Sequence, residues 1–350
     1  MKTTTLLFAG AFALVPMLGN ATVWRVNNNP VYATSGPQCR TSLQVAITDA
    51  ANNDTIHVEA SPNGYGNAIV SNKRLVIIGP GYNLGPAVTE NNGLQMNTNE
   101  AMVNLITFDT GSDSSIVTGV FFISSGGGLH GVLFLAVNGI ILRGNSFSGC
   151  SISFGGGTGT TASNILIAGN YLHTTGISNT SEDQFLTKVT IRNNYSDAII
   201  SLNDAGDVVT NLMITNNTFN YNGTHAIHDA TVAYNIFRKG SFTDLNNNSH
   251  DNLYDASTPI PGVNNNAIGT WSGPAPAVFP ATGSDDGIWN INAGTTYDEA
   301  GSTPRGMYSG AAPYRLSGIP GIPAIYALGS TVNTVPGGTV QVTLSTRSNP

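Results

Sequence analysis

Charge is what this chain has least of. Only 9% of its 350 residues are Asp, Glu, Lys or Arg, and the balance is −7. The few basic residues are scattered singly, so the cationic footprint of a nucleic-acid or anionic-membrane binder is missing. Cysteine is nearly absent too. Cys39 lies before the first repeat described below and Cys150 about three repeats along. At roughly 4.8 Å per repeat their separation would be about 15 Å, too far for a disulfide, so two free, buried thiols are expected.

Long apolar runs are confined to the start. Lys2 precedes an apolar stretch from Leu6 to Leu18, and Gly19-Asn20-Ala21 offers small residues for cleavage. That stretch is short for a bilayer span, so residues 1–21 are expected to be an export signal and the mature protein to be secreted or at the cell surface. No later stretch is long enough to cross a membrane. Helical periodicity is the last scarcity. Only Thr41 to Ala51 carries it, with Leu43, Ala46, Ile47 and Ala50 at i, i+3, i+4 and i+7. This predicts one helix over about 41–51, started by Thr41 or Ser42 and stopped by Asn52-Asn53.

What the chain does have is repetition. Asn164-Ile-Leu-Ile-Ala-Gly-Asn-Tyr-Leu172, Lys188-Val-Thr-Ile-Arg-Asn-Asn-Tyr-Ser196 and Asn211-Leu-Met-Ile-Thr-Asn-Asn-Thr-Phe219 are near copies. With the recurring Asn as marker, the series runs Asn145, Asn170, Asn194, Asn217 and Asn235, in steps of 25, 24, 23 and 18; Gly119 stands 26 before the first. A fixed period of that size signals a stacked solenoid. Three positions before the marker stand Ile116, Leu142, Ile167, Ile191, Ile214 and Val232. Alternation within each repeat and matching columns between repeats predict in-register parallel strands. The marker Asn then reads as a turn residue whose amide stacks on its equivalents above and below. Abundant Gly and Asn suit such turns.

Leu43-Gln-Val-Ala-Ile47 with Asp54-Thr-Ile56, and the repeat ends Asn170-Tyr-Leu172, Asn194-Tyr195 and Asn217-Thr-Phe219, carry a resemblance over about residues 40–256. They make the chain resemble right-handed parallel β-helix repeat proteins, the pectate-lyase-like superfamily. The resemblance implies an all-β, right-handed parallel β-helix. It leaves function open, because that superfamily includes polysaccharide lyases, hydrolases and esterases beside adhesins and non-catalytic surface proteins.

The expected organisation is a signal over 1–21, the β-helix over 22–256 with repeats from about 54, and a C-terminal extension over 257–350. The helix at 41–51 caps the open end of the stack, where unpaired strands would otherwise meet water. A polar, Gly/Asn-rich loop over Tyr82 to Asn99 is expected to leave the body. Prolines at 259, 261, 274, 276 and 280 end the repeat pattern. Trp271, Phe279 and Trp289 suggest that the extension packs on the last coil or a flank. A terminal hairpin is expected from Ala324-Ile-Tyr-Ala-Leu328 and Thr339-Val-Gln-Val-Thr-Leu344.

Candidate chemistry is sparse. The outward positions read from the alignment, Ser115/Val117, Ile141/Arg143, Leu166/Ala168, Thr190/Arg192, Met213/Thr215 and Thr231/Ala233, hold no carboxylate pair for glycoside hydrolysis. Arg143 and Arg192 share a column two coils apart and are the candidate contacts for an acidic polysaccharide. Asp204 and Asp207 in one loop are the candidate catalytic carboxylates. His225-Ala-Ile-His228-Asp229 has metal-ligand types at a spacing that sends the two imidazoles to opposite faces of a strand, so no metal site is expected. Leu129-His-Gly131 is similar to the Gly-His-Gly of polygalacturonases, but that family's paired aspartates and Arg-x-Lys element are missing. No cofactor is expected, with calcium reserved for the lyase case. The expected function is an exported monomer that binds a polysaccharide or other cell-surface component, or a non-catalytic adhesive element; a polysaccharide lyase or glycoside hydrolase is the alternative.

Overall fold

Two columns of left-handed residues set the corners of the chain. One runs Gly119, Gly144, Gly169, Asn193, Asn216, Tyr234, Asp251 and Asn264; the other runs Ser114, Gly139, Asn164, Lys188, Asn211, Asp229 and Asn246. All have φ between 51° and 76°, a region where glycine and asparagine are strained least. The computed structural model describes residues 21–31, 35–84, 97–124, 130–156, 159–174, 176–179, 185–202, 208–243, 246–267, 278–280, 283–292, 305–332 and 340–347. Among them, the strands between the corners collect into three long parallel sheets of eleven, nine and six strands.

The chain visits these sheets in a fixed order. Ile116–Thr118 joins the eleven-stranded first sheet, Phe121–Ile123 the nine-stranded second, and His130–Leu135 the six-stranded third. Ile141–Arg143, Ser146–Ser148 and Ser151–Gly155 then repeat the circuit one strand further along each sheet. Val117, Leu142, Ile167, Ile191, Ile214 and Val232 are register partners in the first sheet, and all are fully buried. In the second sheet Phe122 stacks on Phe147 with centroids 4.6 Å apart, and Phe219 on Phe237 at 4.9 Å. Inward residues of all three sheets form one continuous hydrophobic core. The architecture is mostly β, with long all-parallel sheets and a single α-helix among the described residues.

The alignment needs one correction. Its first repeat is out by one residue. Val117, not Ile116, pairs with Leu142, so Ser115 and Val117 are buried and Ile116 and Thr118 lie on the outer side. Gly119 is therefore the left-handed corner residue, and Val120 holds the marker position. The difference arises because this repeat has Gly119-Val120 where the next two have Gly-Asn, so its corner glycine is followed by no marker asparagine.

The asparagine column is a hydrogen-bonded ladder. Asn145 donates its backbone N–H and Nδ2 to Oδ1 of Asn170, at 2.9 and 3.1 Å. Asn170 does the same to Asn194, Asn194 to Asn217, Asn217 to Asn235 and Asn235 to Asn252, and Asn252 closes the series on Asn265. Each Nδ2 also donates to the carbonyl of an inward residue one circuit earlier, such as Asn194 to Ile167 at 3.0 Å. Val120 N–H starts the ladder on Asn145 Oδ1. The repeats thus run two rungs beyond Asn235. The last steps, 18, 17 and 13 residues, lack a fourth strand that the longer circuits carry: Thr161–Ser163, Phe185–Thr187 and Val208–Thr210 form a separate three-stranded parallel sheet that ends there.

The helix covers Leu43–Asp49, within the expected stretch. Ser42 caps it, its Oγ accepting from Val45 N–H, and Leu43, Ala46, Ile47 and Ala50 are buried in the core. Lys73 Nζ donates to the carbonyls of Ile47, Thr48 and Ala50, satisfying the orphan acceptors of the last turn. Cys150 is buried but Cys39 only half-buried, and both are free thiols. Cys39 differs from expectation because its strand, Cys39–Arg40, is the outermost of the first sheet. Of the expected export signal over residues 1–21, residues 1–20 lie outside the described residues. No described helix is long and apolar enough to cross a membrane.

The C-terminal extension does not simply follow the last repeat. Its described parts return along the outer side of the second sheet. Gly306 N–H donates to Tyr234 O, Met307 N–H to Thr218 Oγ1, and Asn193 Nδ2 to the carbonyls of Met307 and Ser309. Further along, Tyr82 N–H donates to Ser317 O, so Tyr82 is wholly buried under this strap. The loop expected to leave the body therefore begins inside it; its residues 85–96 lie outside the described residues, as does Trp271. Ala324–Val332 and Val340–Arg347 pair as an antiparallel hairpin.

Candidate functional site

The second sheet's outer columns are read by counting forward from the marker. One residue after it stand Phe121, Ser146, Tyr171 and Tyr195; three after it stand Ile123, Ser148, His173 and Asp197. Strand alternation turns both columns away from the core, where Phe122, Phe147 and Leu172 face. The strap closes over part of these columns and leaves a cleft of about 320 Å³, lined on the sheet side by Phe121, Ser146, Ser148, Tyr171, His173 and Asp197 and opposite by Asn83, Asp285 and Ile288.

Aromatic packing fixes the cleft's wall. Tyr171 stacks on Tyr195 with centroids 4.6 Å apart, and Tyr195 lies against Trp289 of the strap at 4.7 Å. Arg238 sits over the Trp289 ring, 5.3 Å from its centroid. Tyr171 OH donates to Asp285 O and Asn220 Nδ2 donates to Tyr195 OH. Burial holds the Tyr171 and Tyr195 phenols well above the ordinary tyrosine range, so both stay neutral donors. Behind this wall Asp286 Oδ2 accepts from Tyr314 OH at 3.0 Å and Ser317 N–H at 2.7 Å, while the Tyr82 and Tyr314 hydroxyls bond to each other. That buried network pins the strap.

The polar floor is equally defined. His173 Nδ1 donates to Asp197 Oδ2 at 2.6 Å, and Thr174 N–H donates to the other oxygen, Asp197 Oδ1, at 2.7 Å. Both carboxylate oxygens are thereby committed, and the imidazole is oriented with Nδ1 on Asp197 and Nε2 turned away from it. Ser148 is the register partner of His173 on the neighbouring strand.

The sequence-predicted residues that are described lie elsewhere. Arg143 and Arg192 share a column of the first sheet with Ala168 between them, about 10 Å apart, and neither lines the cleft. Asp204 and Asp207 lie outside the described residues. Asn145, Asn170, Asn194, Asn217 and Asn235 are buried in the ladder. His225 is wholly buried, its Nδ1 accepting from Ile200 N–H, whereas His228 bonds Asp229 at the surface. Those two imidazoles do not converge, and among the described residues no group of three His, Cys, Asp or Glu is placed to hold a metal. His130 is occupied with Ser153 Oγ at 2.7 Å.

Sequence reasoning missed Ser148, His173 and Asp197 and read Trp289 only as a residue that packs the extension on the last coil or a flank. A signal was present. The column three after the marker is Ser, His, Asp, Asn and Arg through Arg238, polar at every repeat after the first. Comparison of the chain with protein-family models, curated proteins and solved structures finds no match in any of the three.

Proposed function

We propose that the chain is an exported monomer whose three sheets close as a right-handed parallel β-helix of the pectate-lyase-like kind. Its second-sheet cleft binds a segment of polysaccharide. The cyclic order of the three sheets and their single core support the β-helix. One observation carries the function: in the same cleft, Phe121, Tyr171 and Ile288 offer half-exposed apolar surface beside the polar groups of Asn83, Ser148, His173 and Asp197. A pyranose has the same division, with C–H faces that pack on aromatic rings and a rim of hydroxyls that both donate and accept.

A glycan array probed with the purified protein tests the reading. Binding to a defined oligosaccharide should weaken about tenfold or more in Tyr171→Ala, the scale of one lost anchor contact. The double variant Arg143→Ala/Arg192→Ala should bind as the parent does. If the arginine pair abolishes binding and Tyr171→Ala leaves it intact, the ligand sits on the first sheet and the cleft reading fails.

A further inference from the structure

Three successive circuits put a nucleophile, a base and a carboxylate in one column. We propose that Ser148, His173 and Asp197 act together to hydrolyse an acyl ester carried by the ligand of the cleft. The inference rests on the cleft being the ligand site.

Four observations converge on it. Ser148 and His173 are direct register partners, so their backbones are about 4.8 Å apart and their side chains leave the same face. His173 Nδ1 is fixed on Asp197 Oδ2, and Asp197 is itself fixed by Thr174 N–H, so the base is oriented by a third group. Among the described residues neither the Ser148 hydroxyl nor His173 Nε2 has a hydrogen-bond partner, which leaves both available to substrate and to each other. All three line the one cleft, with Phe121, Tyr171 and Ile288 as an apolar wall for an acyl chain. Such a column differs from the neighbouring rungs, where Asn220 and Arg238 in the same file are tied to each other at 2.8 Å. Ser146, two residues before Ser148 on the same outer face, brings a further hydroxyl donor beside the point of attack.

The chemistry balances with water as the only co-reactant. His173 Nε2 takes the Ser148 Oγ proton as Oγ attacks the carbonyl carbon, forming a C–Oγ bond. The ester C–O bond breaks, and the departing alkoxide takes the proton from Nε2 to leave as an alcohol. Water then attacks the acyl-serine carbon and gives a proton to Nε2. The C–Oγ bond breaks and that proton returns to Ser148 Oγ, releasing the acid. Asp197 stays ionised as a positioning residue that stabilises the transient imidazolium.

The test uses the full secreted chain, p-nitrophenyl acetate as a reporter ester, and a fluorophosphonate label read by peptide mass spectrometry. Hydrolysis should fall about 10³-fold or more in Ser148→Ala and in His173→Gln, the scale of losing a nucleophile or its base. The label should appear on Ser148 and be absent from the Ser148→Ala protein. Asp197→Asn should lower kcat at unchanged KM and slow labelling of Ser148 by the same factor, which loosened packing alone would not do. Ser148 is half-buried and its hydroxyl holds no other part of the fold, so Ser148→Ala should melt as the parent does. Ester hydrolysis that survives Ser148→Ala would mean a bare imidazole reaction and would overturn the inference. So would a parent protein that binds glycan yet neither hydrolyses the ester nor takes the label, a result that leaves the binding reading standing.

Discussion

Replacing Asn194 by alanine removes one rung from the middle of the ladder, and the cost can be worked out bond by bond. Asn194 Oδ1 accepts from Asn170 N–H at 2.8 Å and from Asn170 Nδ2 at 3.0 Å; its Nδ2 donates to Ile167 O and Asn217 Oδ1, both at 3.0 Å. Asn170 Nδ2 keeps Leu142 O, and Asn217 Oδ1 keeps the Asn194 backbone N–H. The Asn170 backbone N–H keeps nothing, and it is buried. An orphaned buried donor costs about 1–3 kcal/mol, and each further lost bond contributes about 1 kcal/mol. The substitution should therefore cost about 4–6 kcal/mol, a large share of the stability of an ordinary domain. Urea unfolding followed by far-ultraviolet circular dichroism would show this as a midpoint lowered by about 1 M or more at an m value near 2–3 kcal/mol/M. Asn265→Ala gives the internal comparison. Asn265 is half-exposed at the end of the ladder, so water can replace its Oδ1 and the loss should stay below about 1 kcal/mol. A cost under about 1 kcal/mol at Asn194, or equal costs at the two sites, would refute the view that buried amides carry the stack.

Three other outcomes are expected. Burial lowers the His225 pKa to about 3, and its Nδ1 must stay unprotonated to accept from Ile200 N–H. The unfolded chain binds that proton from about pH 6.5 downward. The His225 contribution is therefore complete above pH 6.5 and falls by about 1.4 kcal/mol per pH unit towards pH 3; His225→Phe should abolish that slope in pH-dependent urea titrations. Lys188 is exposed at φ 55° in a column where its neighbours are Asn164 and Asn211, so Lys188→Asn should stabilise the fold by about 0.5–1 kcal/mol, read as a raised melting temperature. Asp286→Ala removes the shared acceptor of Tyr314 OH and Ser317 N–H, and limited proteolysis should then cut within residues 305–319 while the ladder region resists.

The repeats were legible because a stack writes each contact in sequence several times over. Leu142, Ile167, Ile191 and Ile214 are four answers to one packing requirement, and the asparagines are five answers to another. The corner columns were half legible: Gly and Asn announce a left-handed backbone, whereas Lys188, Tyr234 and Asp229 do not. Of the strap only the packing of Phe279 and Trp289 was legible, not its path or its partners. Each of its contacts is made once, between residues far apart in the chain, as when Tyr82 meets Tyr314 or Tyr195 meets Trp289. The cleft combines both kinds. Its floor is a repeated column that could be read by counting from the marker, and its wall comes from a segment with no period to count.

The asparagine ladder also bears on how this chain can change length over evolutionary time. From Asn145 to Asn252 every side-chain amide donates one hydrogen to the amide oxygen of the next circuit and one to a carbonyl of the previous circuit, so these rungs are interchangeable and none closes the series on itself. Duplicating a whole circuit leaves each donor with an acceptor, whether the circuit spans 25 residues or 17. A partial duplication strands one rung. Genes for such a stack are expected to grow and shrink by complete units, and the shorter circuits between Asn217 and Asn252 show that a unit is defined by its rung and corners rather than by its residue count.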